Sequence, residues 1–394
     1  MANEKSRATV AKLRSFWQRT SEGLNAEQLW AQFRRETRSS LSLYSAETGR
    51  DLRQEWSARK GRRRVFTAVA GAIYDRLTPV RRLLLLLALV LLVIPAIDYR
   101  DDSGNGSLSI AFNSTPSAVI LLVLLVLELA DRVGLKRDLE IARDIQRMLL
   151  PEKPPALPGL DVAFATKAAN TVAGDYYDAF LRPNTNGSRL LLIVADVAGK
   201  GIPAGLLMAA VQTGFHTLAA DNVPLIELAS RLNRSMCERS GGGRHLITAF
   251  IAELDIATRF LTWVNAGHNP PILVRSGGAL EHLVDGGLPL GAFTVSRYQN
   301  GSTELHAGDT LYIYTDGVIE ALNESGAEYG EDRLAREVGA LGASGAAASL
   351  KHIIESVERF AGATPQYDDI TCLVLRVEAP VPSASAGQVI PVSG

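Results

Sequence analysis

Residues 152–378 of this 394-residue chain predict an α+β domain built as a sandwich. Three observations carry the prediction. Short apolar runs suited to strands are mixed with longer helix-period stretches, without the regular strand–helix–strand order of a doubly wound sheet. Two of the runs, Ala249–Leu254 and Phe260–Asn265, alternate as paired strands around a turn at Asp255–Arg259. Other runs end on, or start just after, aspartate, as at Asp196, Asp316 and the pair Asp368-Asp369.

Residues 1–80 are polar and helix-prone, with Trp17, Leu24, Leu29, Trp30, Phe33 and Leu41 at a loose helical period. They predict a helical cytoplasmic region whose role the sequence does not reveal. Leu83 to Ile97 is a 15-residue run without a polar side chain. As a helix it would measure about 22 Å against a hydrocarbon core of about 30 Å. A second apolar stretch, Leu108 to Leu127, is interrupted by Asn113-Ser-Thr-Pro116. The segment between them carries Asp98, Asp101 and Asp102, while Arg81 and Arg82 precede and Arg132, Lys136 and Arg137 follow. Basic outer flanks favour a cytoplasmic side, and snorkelling arginines can lengthen a short span. Residues 81–127 therefore predict a two-helix transmembrane hairpin with both termini cytoplasmic, a soluble apolar helical pair being the alternative. The run starts too far in for a cleaved signal peptide.

Residues 128–151 predict a charged helical linker. Leu135, Leu139, Ala142 and Leu149 form a seam interrupted by Gln146, and Ile141, Ile145 and Met148 form a neighbouring stripe. Either a packed amphipathic helix or a parallel homodimer through residues 128–150 fits. Pro151, Pro154, Pro155 and Pro158 end it. Within the domain, Leu190–Asp196 reads as a buried strand and Ile202–Leu218 as a helix after a Gly-rich turn. Leu311–Thr315 reads as a second buried strand, 333–341 and 346–360 as helices, and Ile370–Arg376 as the closing strand. Residues 379–394 are rich in Pro, Ser, Ala and Gly and predict a disordered tail.

The net charge of −1 gives no general pull toward nucleic acid, although Arg50–Arg82 holds ten basic residues against three acids. Cys237 and Cys372, the two cysteines, are far apart and offer neither a disulfide framework nor a zinc site. The acids are more informative. Asp196, Asp316 and the pair Asp368-Asp369 stand at strand ends, and Asp175 and Asp178 flank two tyrosines beside Gly174. Singly, each is an ordinary turn residue. Together, with glycines that let backbone approach a ligand, they suit Mg2+ or Mn2+ and the paired-ion activation of a water. A phosphate-binding P-loop is excluded at Asp196–Gly201, because Val194 and Gly201 stand where glycine and Ser/Thr are required.

The stretches Ala173-Gly-Asp-Tyr-Tyr-Asp178, Ala195-Asp-Val-Ala-Gly-Lys-Gly-Ile-Pro-Ala204, Asn265-Ala-Gly-His-Asn-Pro-Pro271, Gly287-Leu-Pro-Leu-Gly291, Tyr314-Thr-Asp-Gly-Val318 with Glu320-Ala321, and Tyr367-Asp-Asp-Ile-Thr371 occur in this order. Together they resemble the PPM-type metal-dependent protein serine/threonine phosphatases, in the bacterial branch typified by SpoIIE and RsbU. The resemblance implies a four-layer α-β-β-α sandwich holding two Mn2+ or Mg2+ ions. It gives Asp196 the bridging place, the Val197 carbonyl the adjacent one, and Asp175, Asp316 and Asp368 the remaining ligand places, with Asp369 as an alternative or a supporting partner. Asp178 would orient waters, and Gly199 and Gly317 would bring backbone close. His268 is either a general acid or a structural turn residue, and Lys200 either touches phosphate or is exposed. The resemblance further implies a phosphorylated anti-sigma-factor antagonist as substrate, no phosphoenzyme, and a regulatory role for the linker at Ile145-Gln146 and Leu149-Leu150-Pro151; with the hairpin expected at 81–127, the location would be the bacterial inner membrane. A non-catalytic membrane-tethered scaffold and a small-molecule phosphoesterase are the competing expectations.

Overall fold

The computed structural model describes residues 77–93, 96–100, 107–111, 115–183, 188–239 and 246–378. The expected N-terminal helical region and the tail 379–394 fall almost wholly outside them. The chain divides into two compact units, residues 1–132 and 133–394.

In the first unit, helix α1 (Pro79–Val93) takes up most of the first apolar run. Strands β1 (Ala96–Arg100) and β2 (Ser107–Ala111) pair antiparallel. Helix α2 (Thr115–Leu149) then runs on through the division between the units. Among the described residues no helix is long and apolar enough to cross a membrane, which corrects the two-span hairpin. The physical reasons are local. The 15 residues of α1 reach only about 22 Å. The second stretch gives its first residues to β2, and its helix meets Glu128, Asp131 and Arg132 within its first five turns. Arg81 does not snorkel but pairs with Asp131 at 2.7 Å and Glu128 at 3.6 Å. The Ser117 hydroxyl donates to the Ala88 carbonyl at 2.7 Å, fastening α2 to α1. The membrane location expected above has no span among the described residues to rest on.

The second unit is organised by β5 (Arg189–Val197), whose apolar residues are all buried. A strand covered on both faces reads as a continuous apolar run rather than an alternation. Leu191, Ile193, Ala195 and Val197 face helices α3 (Ile202–Ala219) and α4 (Leu225–Arg239), against Met208, Phe215, Leu228 and Leu232. Leu190, Leu192 and Val194 face the other way, toward a second sheet. The first sheet has the order β10 (Gly286–Gly287), β7 (Phe260–Ala266), β6 (Ile247–Asp255), β5, β4 (Tyr176–Leu181), with β11 (Gly301–Glu304) also on β7. The second runs β3 (Leu160–Lys167), β13 (Ile370–Val377), β12 (Thr310–Tyr314), β8 (Ile272–Val274), β9 (Leu280–His282). Leu192, Phe250 and Trp263 of the first meet Ile313, Leu373 and Leu375 of the second. Outside the second sheet, α6 (Glu331–Ala340) and α7 (Ala346–Ala361) cover Tyr312, Tyr314 and Val374 with Leu334, Val338, Ile353 and Val357.

These are the four layers α-β-β-α. Burying each β5 leucine is worth about 1.5–3 kcal/mol. An exposed ion pair such as Lys167–Glu358 is worth about 0–1 kcal/mol, so the two-sided strand and not the surface charges decides the architecture.

Candidate metal centre

Two antiparallel strand pairs, one in each sheet, deliver acids to the same edge of the sandwich. In the first sheet Tyr176 pairs with Ala195, so Asp175 at the start of β4 lies beside Asp196 near the end of β5. In the second, Tyr314 pairs with Cys372, which sets Thr315 and Asp316 beside Asp369 and Asp368. Asp316 opens the short helix α5 (Asp316–Ile319).

Hydrogen bonds stitch the two edges. The Thr315 hydroxyl donates to Asp175 Oδ2 at 2.9 Å, and the Thr371 amide donates to the Thr315 hydroxyl at 3.0 Å. Asp369 accepts the Ala169 and Gly174 amides, each at 2.7 Å, one on each carboxylate oxygen. Gly174 passes so close to β5 that an added Cβ would stand 3.1 Å from the Val197 carbonyl and 3.8 Å from Asp196 Oδ1. Gly317 is tighter still. Its Cβ would stand 2.1 Å from the Asp369 carbonyl oxygen. Beyond Asp196, Gly199 has φ 120°, a conformation that excludes most side chains and turns the loop so that Lys200 reaches back. Lys200 Nζ lies 3.0 Å from Asp368 Oδ2 and donates to the Tyr367 carbonyl at 2.6 Å.

Burial, and then mutual repulsion, makes three of these acids harder to ionise. Burial, then the Asp196 charge, pushes Asp175 well above the carboxylate range. Asp196 is pushed up to about 7 by burial, then by Asp316, Asp368 and Asp369. Asp316 is raised by burial and by Asp368, with the Gly317 amide and Lys200 opposing. Among the described residues, no three His, Cys, Asp or Glu side chains form a ready ligand group. The hydrogen bonds give the reason: Asp369 is taken up by amides, Thr315 holds Asp175, and Lys200 holds Asp368. The donor set nonetheless fits a hard divalent cation. It is all oxygen, and its mutual repulsion is what such a charge relieves.

Several expected roles change here. Asp178 is buried, but its Oδ2 accepts the Tyr176 hydroxyl at 3.0 Å and pairs with His216 Nε2 at 2.7 Å, on the side facing α3. It ties a strand to a helix. His268 is buried, bonds Thr248 through Nδ1 at 3.0 Å and donates its amide to Asn265 Oδ1. Burial lowers its pKa to about 4, which favours the structural of the two roles expected for it. Thr315 is a contributor to which the sequence reading gave no role, and Gln146, expected in the regulatory linker, proves to touch the site's loop. Gln146, which interrupts the linker seam, is the buried one. Its Nε2 donates to the Ala173 carbonyl at 2.6 Å, and its Oε1 accepts the Ala173 amide at 3.0 Å, two residues before Asp175. Ile141, Ile145 and Met148 stay exposed.

Residues 186–378 match the family model for stage II sporulation protein E. Phosphoserine phosphatase RsbU of Bacillus subtilis is 29% identical over 243 residues, covering 61% of this chain and 70% of RsbU. Phosphoserine phosphatase RsbP of the same organism is 29% identical over 193 residues, and the match spans 47% of its length. Among solved structures, the SiaA-PP2C domain of Pseudomonas aeruginosa superposes with TM-score 0.56 at 22% identity, over 63% of this chain and 98% of that domain. This likeness shows the fold.

Proposed function

We propose that the chain carries a PPM-type phosphatase domain of the SpoIIE/RsbU branch and that it hydrolyses phosphoserine or phosphothreonine on a signalling protein, of the anti-sigma-factor-antagonist type. The observation that carries the reading is the delivery of Asp175, Asp196, Asp316 and Asp368 to one edge by strands of both sheets. The two relatives called phosphoserine phosphatases support the substrate class.

Asp175, Asp196, Asp316, Asp368 and the Val197 carbonyl would hold two Mn2+ or Mg2+ ions, with Asp369 as the supporting partner. When bound, these ions supply an acidified water and positive charge opposite the phosphoryl oxygens. The chain's own contribution is placement. Thr315 fixes the Asp175 carboxylate, and Asp369 locks the 169–174 loop over β5. Lys200 brings a cation to the edge that a phosphoryl group would approach. The test is phosphate release from a phosphoserine protein with and without Mn2+ or Mg2+. Release should need the ion and stop on chelation. Ion binding without hydrolysis across many phosphoproteins would favour the scaffold reading, and faster turnover of free nucleotides the small-molecule one.

Residues 128–151 act in this reading as a regulatory linker, supported by the two hydrogen bonds between Gln146 and Ala173. A homodimer would use the exposed Ile141, Ile145 and Met148. Gln146→Ala leaves a buried amide and carbonyl without partners, at a cost of about 1–3 kcal/mol. We expect a lower melting temperature and roughly tenfold slower phosphate release at limiting Mn2+. Unchanged values in both measurements would separate the linker from the site.

A further inference from the structure

Beside the acids lies a cavity of about 400 Å3 that the chemistry above leaves unused. Gly317 and Asp368 form one wall of it, so it opens directly off the candidate centre. Its apolar lining comes from Val357 and Ala361 of α7, Ile370 of β13 and Leu322. Residues 364–367 also line it, braced by Gln366, whose Nε2 donates to the Lys167 carbonyl at 2.6 Å and the Asp368 carbonyl at 2.8 Å. The charged residues lining it are Glu320, Glu358, Asp368 and Lys167, and Lys167 is already paired with Glu358. Lys200 likewise pairs with Asp368, so Glu320 is the lining acid outside both of these pairs, set among a part-apolar, part-polar lining.

We propose that this cavity receives the substrate polypeptide next to the phosphorylated residue, taking one apolar side chain inside while a neighbouring Lys or Arg meets Glu320. Continuity selects this occupant. A phosphorylated side chain that reaches Asp316 and Asp368 carries its flanking residues past Gly317 and over this opening. The volume exceeds that of one aliphatic side chain, and the lining mixes apolar side chains with polar groups that can orient a bound segment. Glu320 selects a basic neighbour and disfavours an acidic one. The inference rests on the phosphatase reading and adds to it the side chains by which one phosphoprotein is told from another.

The experiment uses the full chain with Mn2+, p-nitrophenyl phosphate as a reference, and phosphoserine peptides in an alanine background. Leu, Lys or Glu is placed in turn at each position flanking the phosphoserine. The wild type should favour one Leu position and one Lys position by about tenfold in kcat/KM over alanine. Ala361→Trp, which fills the cavity, should erase the Leu preference and leave p-nitrophenyl phosphate turnover within about twofold. Glu320→Lys, an exposed change that keeps the question open should Ala361→Trp fail to fold, should reverse the Lys preference in favour of Glu. Equal turnover of all peptides, or preferences that persist in both variants, overturns the cavity assignment and leaves the phosphatase reading standing. A wild type that hydrolyses neither the peptides nor p-nitrophenyl phosphate overturns both.

Discussion

Asp196→Asn should lower Mn2+-supported phosphate release by roughly a thousandfold without unfolding the protein. Asp196 stands where the two sheets' acids meet, and its side chain is raised to about 7 by burial and then by Asp316, Asp368 and Asp369. The amide keeps the shape and removes the anionic oxygen, so the loss isolates the charge. The same substitution should raise the melting temperature of the ion-free protein near neutral pH. An acid whose folded pKa lies above its unfolded one opposes folding at any pH where the unfolded chain is ionised, and the amide removes that opposition. Lost turnover with an unchanged or raised melting temperature is the expected pair of results. Full activity in Asp196→Asn would sink the assignment of these acids, and an inactive protein that melts earlier would make the loss a folding defect.

Gly317→Ala should cost about a hundredfold in kcat and raise the Mn2+ concentration needed for half-maximal rate. The added methyl would sit 2.1 Å from the Asp369 carbonyl oxygen, where no side-chain rotation can relieve it. Either α5 moves, taking Asp316 with it, or the Asp368-Asp369 segment does. A displacement near 1 Å at a catalytic group is worth about two orders of magnitude in rate. Circular dichroism would separate a shifted site from a collapsed sandwich, and wild-type kinetics would show that the close approach is dispensable.

Most of the second unit was legible because its signals are local. Leu190–Asp196 announces a strand buried on both faces, and Asp255–Arg259 a turn between two strands; both stand where expected. Helix α4 was passed over, although Leu225, Leu228, Leu232 and Met236 carry a helical period. The apolar hairpin misled for the opposite reason. Its composition is that of lipid-facing helices, but chain geometry broke it into a 15-residue helix, a strand pair and a helix carrying Glu128 and Asp131.

For the site, the sequence by itself determined which residues can do the chemistry: aspartates beside glycines, with no competing cysteine or histidine cluster. Tertiary structure decided how they divide the work. Asp175 and Asp196 come from one sheet, and Asp316 and Asp368 from the other. Asp369 proves to brace a loop, Asp178 to face a helix, and His268 to be buried with its pKa lowered. None of that can be read along the chain. A carboxylate's role depends on what its two oxygens already accept and on how far burial has raised its pKa, and both are set by residues up to 200 positions away, as in the 2.7 Å bond from Ala169 to Asp369.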